Sequence, residues 1–304
     1  MKQSNAQAGK GLRIISKIIM ITLLVVLILY CVTLLVPIFW MLINSFKTLP
    51  DYLLHPFQLP REFTFEPYKE VFNILKADFI SKEGAKITYG LWPMAFYSIV
   101  YTFGYSAFYV IITAIVAYVL ARYVFPGRNF IYSLGIIVMI VPIIGSLPSA
   151  MYMYQKLGIY NNMLALILVS PSTAFSGTYF LLFYAALKGI PKTYSEAAQI
   201  DGAGHFTVMW RIIMPMIIPS MVAVFVLVFL GAWNDYNTFL VWLPSYPSLS
   251  VGLYLFEQGT TKAGGVGMPT ILASFIVVII PTVLLYIGTQ GILMSKLTIG
   301  GLKG

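Results

Sequence analysis

Charge is scarce in this chain. Asp, Glu, Lys and Arg make up 10% of its 304 residues, against about a quarter in an ordinary soluble domain. A water-soluble fold of the usual kind is excluded. Cysteine is nearly absent. Cys31 stands alone inside an apolar run, so no internal disulfide can form, and a small buried apolar side chain is the simplest role for it. Histidine is almost as rare. His55 and His205 have no helix-spaced partner, which argues against a metal site. No G-x-x-x-x-G-K-[ST] phosphate loop occurs, so this chain does not itself bind and split ATP. No G-x-S-x-G or Ser/His/Asp arrangement recommends a hydrolase, and there is no repeat of solenoid or propeller period. The chain is not expected to be an enzyme or to hold a cofactor of its own.

Apolar residues are plentiful, at 59% with 15% aromatic. About 20 consecutive apolar residues suffice to cross a bilayer. Six stretches qualify: 18–43, 93–121, 130–153, 163–187, 212–240 and 268–293. The first lacks the short core and small-residue cleavage site of a signal peptide and is read as a retained helix. The third is broken by Pro142, Gly145 and Pro148, the fourth by Ser170 to Thr173, and Pro281 lies inside the sixth. Prolines at such depths are tolerated where neighbours or water satisfy the freed carbonyl. The expected fold class is therefore all-α, a polytopic six-helix membrane bundle. Its parts are a cytoplasmic N-terminal segment 1–17, a six-span domain 18–293 and a cytoplasmic tail 294–304. An outer loop covers 45–92 and another, rich in Pro and Gly, covers 244–267. In the first, Tyr68, Phe72, Leu75 and Phe79 recur at helical spacing beside Val71 and Ile74. They predict a short amphipathic helix, serving either as a surface for an external binding protein or as a cover over helix ends.

The formal net charge of +9 is placed unevenly. With the 191–211 loop on the cytoplasmic side, that side holds eleven of the 19 Lys/Arg and only two acids, Glu196 and Asp201. Positive charge inside sets orientation and attracts anionic lipid; nucleic acid is not implied. Both termini then lie on the cytoplasmic side.

The longest polar interruption of the second half runs from Pro191 to Pro219. Pro191 stops the helix before it. Thr193 and Glu196 have the spacing of a capping box, so a short helix can begin there. Ala197 and Ala198 leave one helix surface nearly bare. Gly202 and Gly204 permit a sharp turn, and a second helix begins near His205, rigidly continuous with the fifth span. Glu196-Ala197-Ala198, Gly202, Ile212 and Pro215 stand at the spacings of the EAA loop, and this stretch resembles that of permeases of ABC importers. Asp201-Gly202-Ala203 resembles the D-G-A of carbohydrate-importing members. Met214 departs from the usual Leu, at similar volume.

Other segments extend the resemblance to the half of the carbohydrate family typified by the second membrane subunit of maltose importers. They are Pro37 to Thr48, the inner turn Ala117 to Arg128, the outer turn Leu157 to Asn162, Trp233-Asn234-Asp235, and the terminal Gly300 to Gly304. Phe96-Tyr97-Ser98 departs from the family's Asn-Ser pair. The resemblance implies a type I importer bundle whose coupling loop (Glu196, Ala197, Ala198, Asp201, Gly202, Ala203, Ile212, Pro215) docks on a separate ATPase. It implies a partner permease, two ATP-binding subunits that hold the ATP and Mg, and an external solute-binding protein. The implied solute is a carbohydrate, an oligosaccharide or related glycan; another polar solute such as a polyol phosphate is the alternative. Trp233, Asn234, Asp235 and Asn237, grouped at a helix end, are either interfacial caps or part of the substrate path. A secondary transporter would need ionisable groups near the midplane, where only Asp235 is a candidate, and a membrane enzyme would need a catalytic constellation.

Overall fold

The computed structural model describes residues 2–80, 86–141, 145–263 and 266–296. The breaker Pro142, loop residues Gly84 and Gly265, and the terminal 300–304 motif lie outside the described residues. Helices dominate, so the all-α expectation holds. The exception is a small antiparallel hairpin in the first outer loop. Two compact units divide the chain, residues 1–71 with 264–277, and residues 72–263 with 278–304.

In the first unit, α1 (Lys2–Asn44) runs through Pro37 and includes residues 2–17 of the segment expected to carry no packed element. Its flanks over 18–39 are exposed along the whole apolar run, as a lipid-facing helix requires. Its exit is tied down by α2 (Leu49–Leu54) and the loop after it. Trp40 Nε1 donates to Pro56 O at 2.8 Å, and Asn44 Nδ2 donates to Trp40 O at 2.7 Å and Pro56 O at 3.1 Å. Lys47 is completely buried, and its Nζ donates to His55 O and Gln58 O at 2.7 Å each. Burial lowers its pKa, and the Asp51 carboxylate nearby opposes that shift. An irregular loop cannot satisfy its own carbonyls, and an ammonium reaching back into it supplies donors. Ser45 Oγ and Tyr68 Oη share a 2.7 Å hydrogen bond, and the Phe46 ring packs on Phe63, Phe65 and Tyr68.

The amphipathic helix α3 (Glu66–Ile74) is shorter than its periodicity suggests. Phe79 belongs instead to β1 (Ala77–Ile80), which pairs with β2 (Lys86–Tyr89), Ala77 opposite Tyr89 and Ile80 opposite Lys86. Phe79 and Ile80 favour a strand, and Lys76-Ala77 carries no cap to prolong the helix.

The second unit is built on α4 (Leu91–Arg122), the one unbroken membrane helix inside it. One face carries small polar residues, Ser98, Thr102, Ser106 and Thr113, all buried, then Ala114, Ala117 and Ala121. Small residues let neighbouring helices approach where no hydrophobic drive distinguishes lipid from protein. Around α4 lie α5 (Arg128–Ile140), α6 (Leu147–Lys156), α7 (Met163–Val169) and α8 (Thr178–Gly189). Of these, α7 and α8 pack on it, with Phe180, Phe183 and Leu187 of α8 fully buried. The stretches read as third and fourth spans are thus each divided, at 141–146 and by a 3₁₀ turn at Ser170–Thr173. By length and composition, three described helices can cross a membrane, and a fourth if one bent pair counts as a single span.

Lys47→Met keeps the apolar stem but leaves the Gln58 carbonyl without its donor, while His55 O keeps the Gln58 N–H at 3.3 Å. The cost should be about 1–3 kcal/mol, that of one unsatisfied group. A lower thermal midpoint in detergent and faster tryptic cleavage at the exposed Arg61 would read it, with Lys47→Arg intermediate. Wild-type values for Lys47→Met would mean that the loop holds itself.

Candidate functional site

Two places in the second unit carry the sequence-derived site residues. The first is the loop after α8. There α9 (Thr193–Ile200) begins without a capping box. Lys192 already has right-handed helical backbone, so Thr193 is inside the helix and its hydroxyl cannot serve as the cap. Lys192 O instead accepts from the backbone N–H groups of Ser195 and Glu196. Glu196 is exposed in the first turn, where the helix dipole favours a carboxylate.

The two alanines part company. Ala198 is buried in the core cluster, whereas Ala197 faces out. The turn after α9 explains the Asp-Gly-Ala triplet. Gly202 N donates to Gln199 O at 3.0 Å and Ala203 N to Ala198 O at 2.9 Å, with Gly202 at φ +85°. This pair of bonds around a left-handed residue is a Schellman stop, which satisfies the last carbonyls of the helix. Asp201 is exposed.

Beyond the turn, α10 (His205–Thr207), a π-helical stretch (Val208–Ile213) and α11 (Met214–Met216) form one helical segment. It is not continuous with the span that follows. At Ile217 the chain bends by 72° into α12 (Ile218–Asn234). Pro219 lacks an N–H and its ring would meet the carbonyl of Pro215, four residues back, so a straight helix is blocked. Pro215 makes the same demand on Arg211 O, and the widened π turn immediately before it accommodates the demand. Ile212 is half-buried, Pro215 exposed.

One side of this loop is buried and the other is oily but uncovered. Ala198, Val208, Ile213, Met214 and Ile217 join the core cluster with α4 and α8. Tyr194 (50% exposed), Ile200 (87%) and Phe206 (73%) lie uncovered, with Trp210 at their edge. Clustered apolar side chains left bare on a polar loop mark a protein contact.

The second place is where α12 ends. Trp233 is buried and donates from Nε1 to Val278 O at 3.1 Å, across to α15 (Met268–Lys296), an anchoring role. Asn234 is exposed and its Nδ2 returns to Leu230 O, and Asn237 is exposed. Asp235 caps α13 (Tyr236–Trp242), accepting from the Thr238 N–H and hydroxyl. It also lines a cavity of 310 Å³ with Tyr101, Tyr105, Tyr109, Tyr179, Gly231 and Thr238. A second cavity of 260 Å³ shares Tyr101, Tyr105 and Thr238 and adds Tyr154, Ser170, Ser172 and Trp242. Of the four residues expected together, only Asp235 faces this space. The tyrosines were missed, although their spacing of four along the second span was available as a signal.

The turns between helices are fastened by the residues that stood out in sequence. In the inner turn, Gly127 sits at φ +85° and Arg128 Nε donates to Leu120 O at 2.8 Å, with Nη2 on the Tyr184 hydroxyl at 3.2 Å. In the outer turn, Gly158 forms a second Schellman stop, and Asn161 brackets Ser245 with both side-chain atoms. Ser98, where an Asn-Ser pair was expected, accepts the Leu249 N–H at 2.8 Å and so fastens α14 (Leu249–Ala263), a helix inside the 244–267 loop.

Residues 110–299 match the family described as binding-protein-dependent transport system inner membrane component. A diacetylchitobiose uptake system permease protein of Streptomyces coelicolor is 29% identical over 86% of this chain and 81% of its own. An arabinooligosaccharides transport system permease protein of Halalkalibacterium halodurans is 34% identical over 63% of this chain and 67% of its own. In fold, the chain is similar to one chain of a bacterial ABC transporter involved in the import of the acidic polysaccharide alginate. The TM-score is 0.71 at 22% identity, over 90% of this chain and 96% of that one.

At Gly202 an added Cβ would meet open space, so the whole cost of a side chain there is its positive φ. Gly202→Ala should cost about 1–2 kcal/mol, confined to the turn, and Gly202→Asn distinctly less. Tryptic cleavage at Lys192 and Arg211, which flank the turn, should accelerate for Ala and stay near wild type for Asn. Equal rates for all three would show that the turn does not hold this φ.

Proposed function

The chain belongs to the family of binding-protein-dependent transport system inner membrane components, and on that premise we propose how it works as an ABC-importer permease. The loop Glu196 to Pro215 is its coupling element, facing the cytoplasm and gripped by a separate ATPase subunit that holds the ATP and Mg. The observation that carries this is the bare apolar set Tyr194, Ile200 and Phe206 beside the exposed Glu196 and Ala197, backed by a helix face packed into the permease core. A soluble partner covers such a set; lipid does not, because Lys192, Glu196, Asp201 and Arg211 lie among it. The complex comprises a second permease, two ATPase subunits and an external solute-binding protein. Its solute is a carbohydrate, a reading supported by relatives whose names specify diacetylchitobiose and arabinooligosaccharides. The chain crosses the membrane six times with both termini inside, the divided helices 128–156 and 163–189 each making one crossing.

Reconstituted complex tests the coupling role. Glu196→Lys, Gly202→Asp and the surface change Ile200→Asp should insert normally, yet lose ATP hydrolysis stimulated by loaded binding protein, or lose the ATPase subunit. Wild-type stimulation and uptake in all three would remove the loop from coupling. For topology, reporter fusions after Gly84 and after Gly265 should both read as external. A cytoplasmic signal at either breaks the six-span arrangement.

A further inference from the structure

We propose that the tyrosine row Tyr101, Tyr105 and Tyr109, with Tyr179 facing it, is the wall along which a neutral, hydroxyl-rich carbohydrate passes through this subunit. The inference rests on the carbohydrate reading above and adds the surface that makes the contact. The three α4 residues are four apart, so they share one helix face, with about 6 Å of rise between neighbours. Their rings stack in sequence, Tyr101 on Tyr105 at 5.6 Å and Tyr105 on Tyr109 at 6.1 Å. Tyr179 closes the row edge-on at 6.3 Å from Tyr109. All four line the 310 Å³ cavity, and the adjoining 260 Å³ cavity continues past Tyr101 and Tyr105 to Ser170, Ser172 and Tyr154.

Chemistry then selects the solute. A phenol hydroxyl both donates and accepts, so it can pair with any sugar hydroxyl in either sense. Thr238 and the two serines add hydroxyls of the same kind, and Asp235 adds an acceptor. Among the described lining residues there is no Lys or Arg, and Asp235 is the one acidic residue. A phosphate-bearing solute would meet no countercharge and one like charge in a space of low dielectric. A neutral polyhydroxyl chain meets neither problem. Evenly spaced, similar contacts also suit passage. Each exchange gives up one hydrogen bond while its neighbour forms. Transport needs binding weak enough at each place for the solute to leave.

The test uses the assembled complex with its binding protein in liposomes, in a Cys31→Ser background. Maltotriose, cellotriose, diacetylchitobiose and glycerol 3-phosphate are offered as solutes. Tyr105→Cys and Tyr179→Cys, both half-buried positions, are then modified by a water-soluble thiol reagent with and without a sugar that the complex transports. Mass action predicts protection of about tenfold at ten times the half-saturating sugar concentration. Phe103→Cys, on the opposite face of α4 against Phe225 and Phe229, should show no protection. Tyr105→Phe, which deletes one hydroxyl, should lower sugar uptake several-fold. Transport of a sugar without protection at 105 or 179, or unchanged uptake by Tyr105→Phe, overturns the tyrosine wall and leaves the carbohydrate reading standing. Transport of glycerol 3-phosphate and no sugar overturns both.

Discussion

A bilayer offers no water to the backbone, so each peptide group within it must find a partner in the protein or line a wet space. This constraint orders the second unit. Its described helices end at Ile140 and resume at Leu147, and are interrupted at Ser170–Thr173, at Ile217 and at Asp235. An interruption frees carbonyls and N–H groups that only packing, side chains or a polar cavity can satisfy. Two of the four interruptions border the cavities directly, through Ser170 and Ser172 in one and Asp235 in the other. At Asp235 the carboxylate itself satisfies the Thr238 N–H in the first turn of the resumed helix. The breaks and the polar space therefore require each other. Unbroken helices would enclose no such cavity, and a dry interior would not tolerate the breaks.

Helix α4 makes this arrangement possible because it is not interrupted. Its buried surface changes along its length: the tyrosine row holds neighbours apart, and the same row continues every fourth residue into Thr113, Ala117 and Ala121, where small side chains let them come close. One close approach in the unit, on α5, is severe enough to exclude a side chain, and one on α4 is tight. A Cβ on Gly135 would run into the backbone carbonyl of Phe175, and one on Gly104 would press on Ile167 at 3.0 Å. Thr102, Ser106 and Thr113 are buried with hydroxyl oxygens that have no partner among the described residues. Their stabilising contribution is volume rather than hydrogen bonding, since a small side chain of either kind fills the same gap.

What the sequence disclosed depended on whether a feature was local. Gly202 and Gly204 permitted a sharp turn, and Gly202 makes one at φ +85°, because a Schellman stop is written in adjacent residues. Of the six apolar runs, three coincide with described helices long enough to cross a membrane, α1, α4 and α15, since length and composition decide that alone. The capping box misled because Thr193 and Glu196 were read without the backbone of Lys192, which had already entered the helix. The 72° bend was signalled by Pro215 and Pro219, but their sum was not, since each proline alone is tolerated in a first turn. Lys47 was the hardest to read. Its partners are carbonyls of His55 and Gln58, in a loop whose path no pattern fixes. The tyrosine row was legible as spacing and illegible as a site, because a helix-spaced aromatic stripe is ordinarily packing. Only the cavity beside it distinguishes the two.

The loop and the cavity belong to one body of packed side chains. A single buried cluster contains Ala198 of α9, Val208 and Ile213 of the π-helical stretch, and Met214 and Ile217 at the bend. It continues through Ala117, Ala114 and Tyr109 of α4, with Phe180 and Phe183 of α8. Protein interiors are packed as densely as organic crystals, so displacement of one member is passed to the next rather than absorbed. Tyr109 is both a member of this cluster and a lining residue of the cavity. The wide bend adds to this. A straight helix from His205 to Asn234 would carry a push on the loop along its own axis and out of the unit. Turned by 72°, the segment before Ile217 instead joins the cluster through Val208, Ile213 and Met214. Such a linkage does work only if a partner binds its two positions unequally. The bare side chains on the far side of α9 and α10 are where that difference would be made.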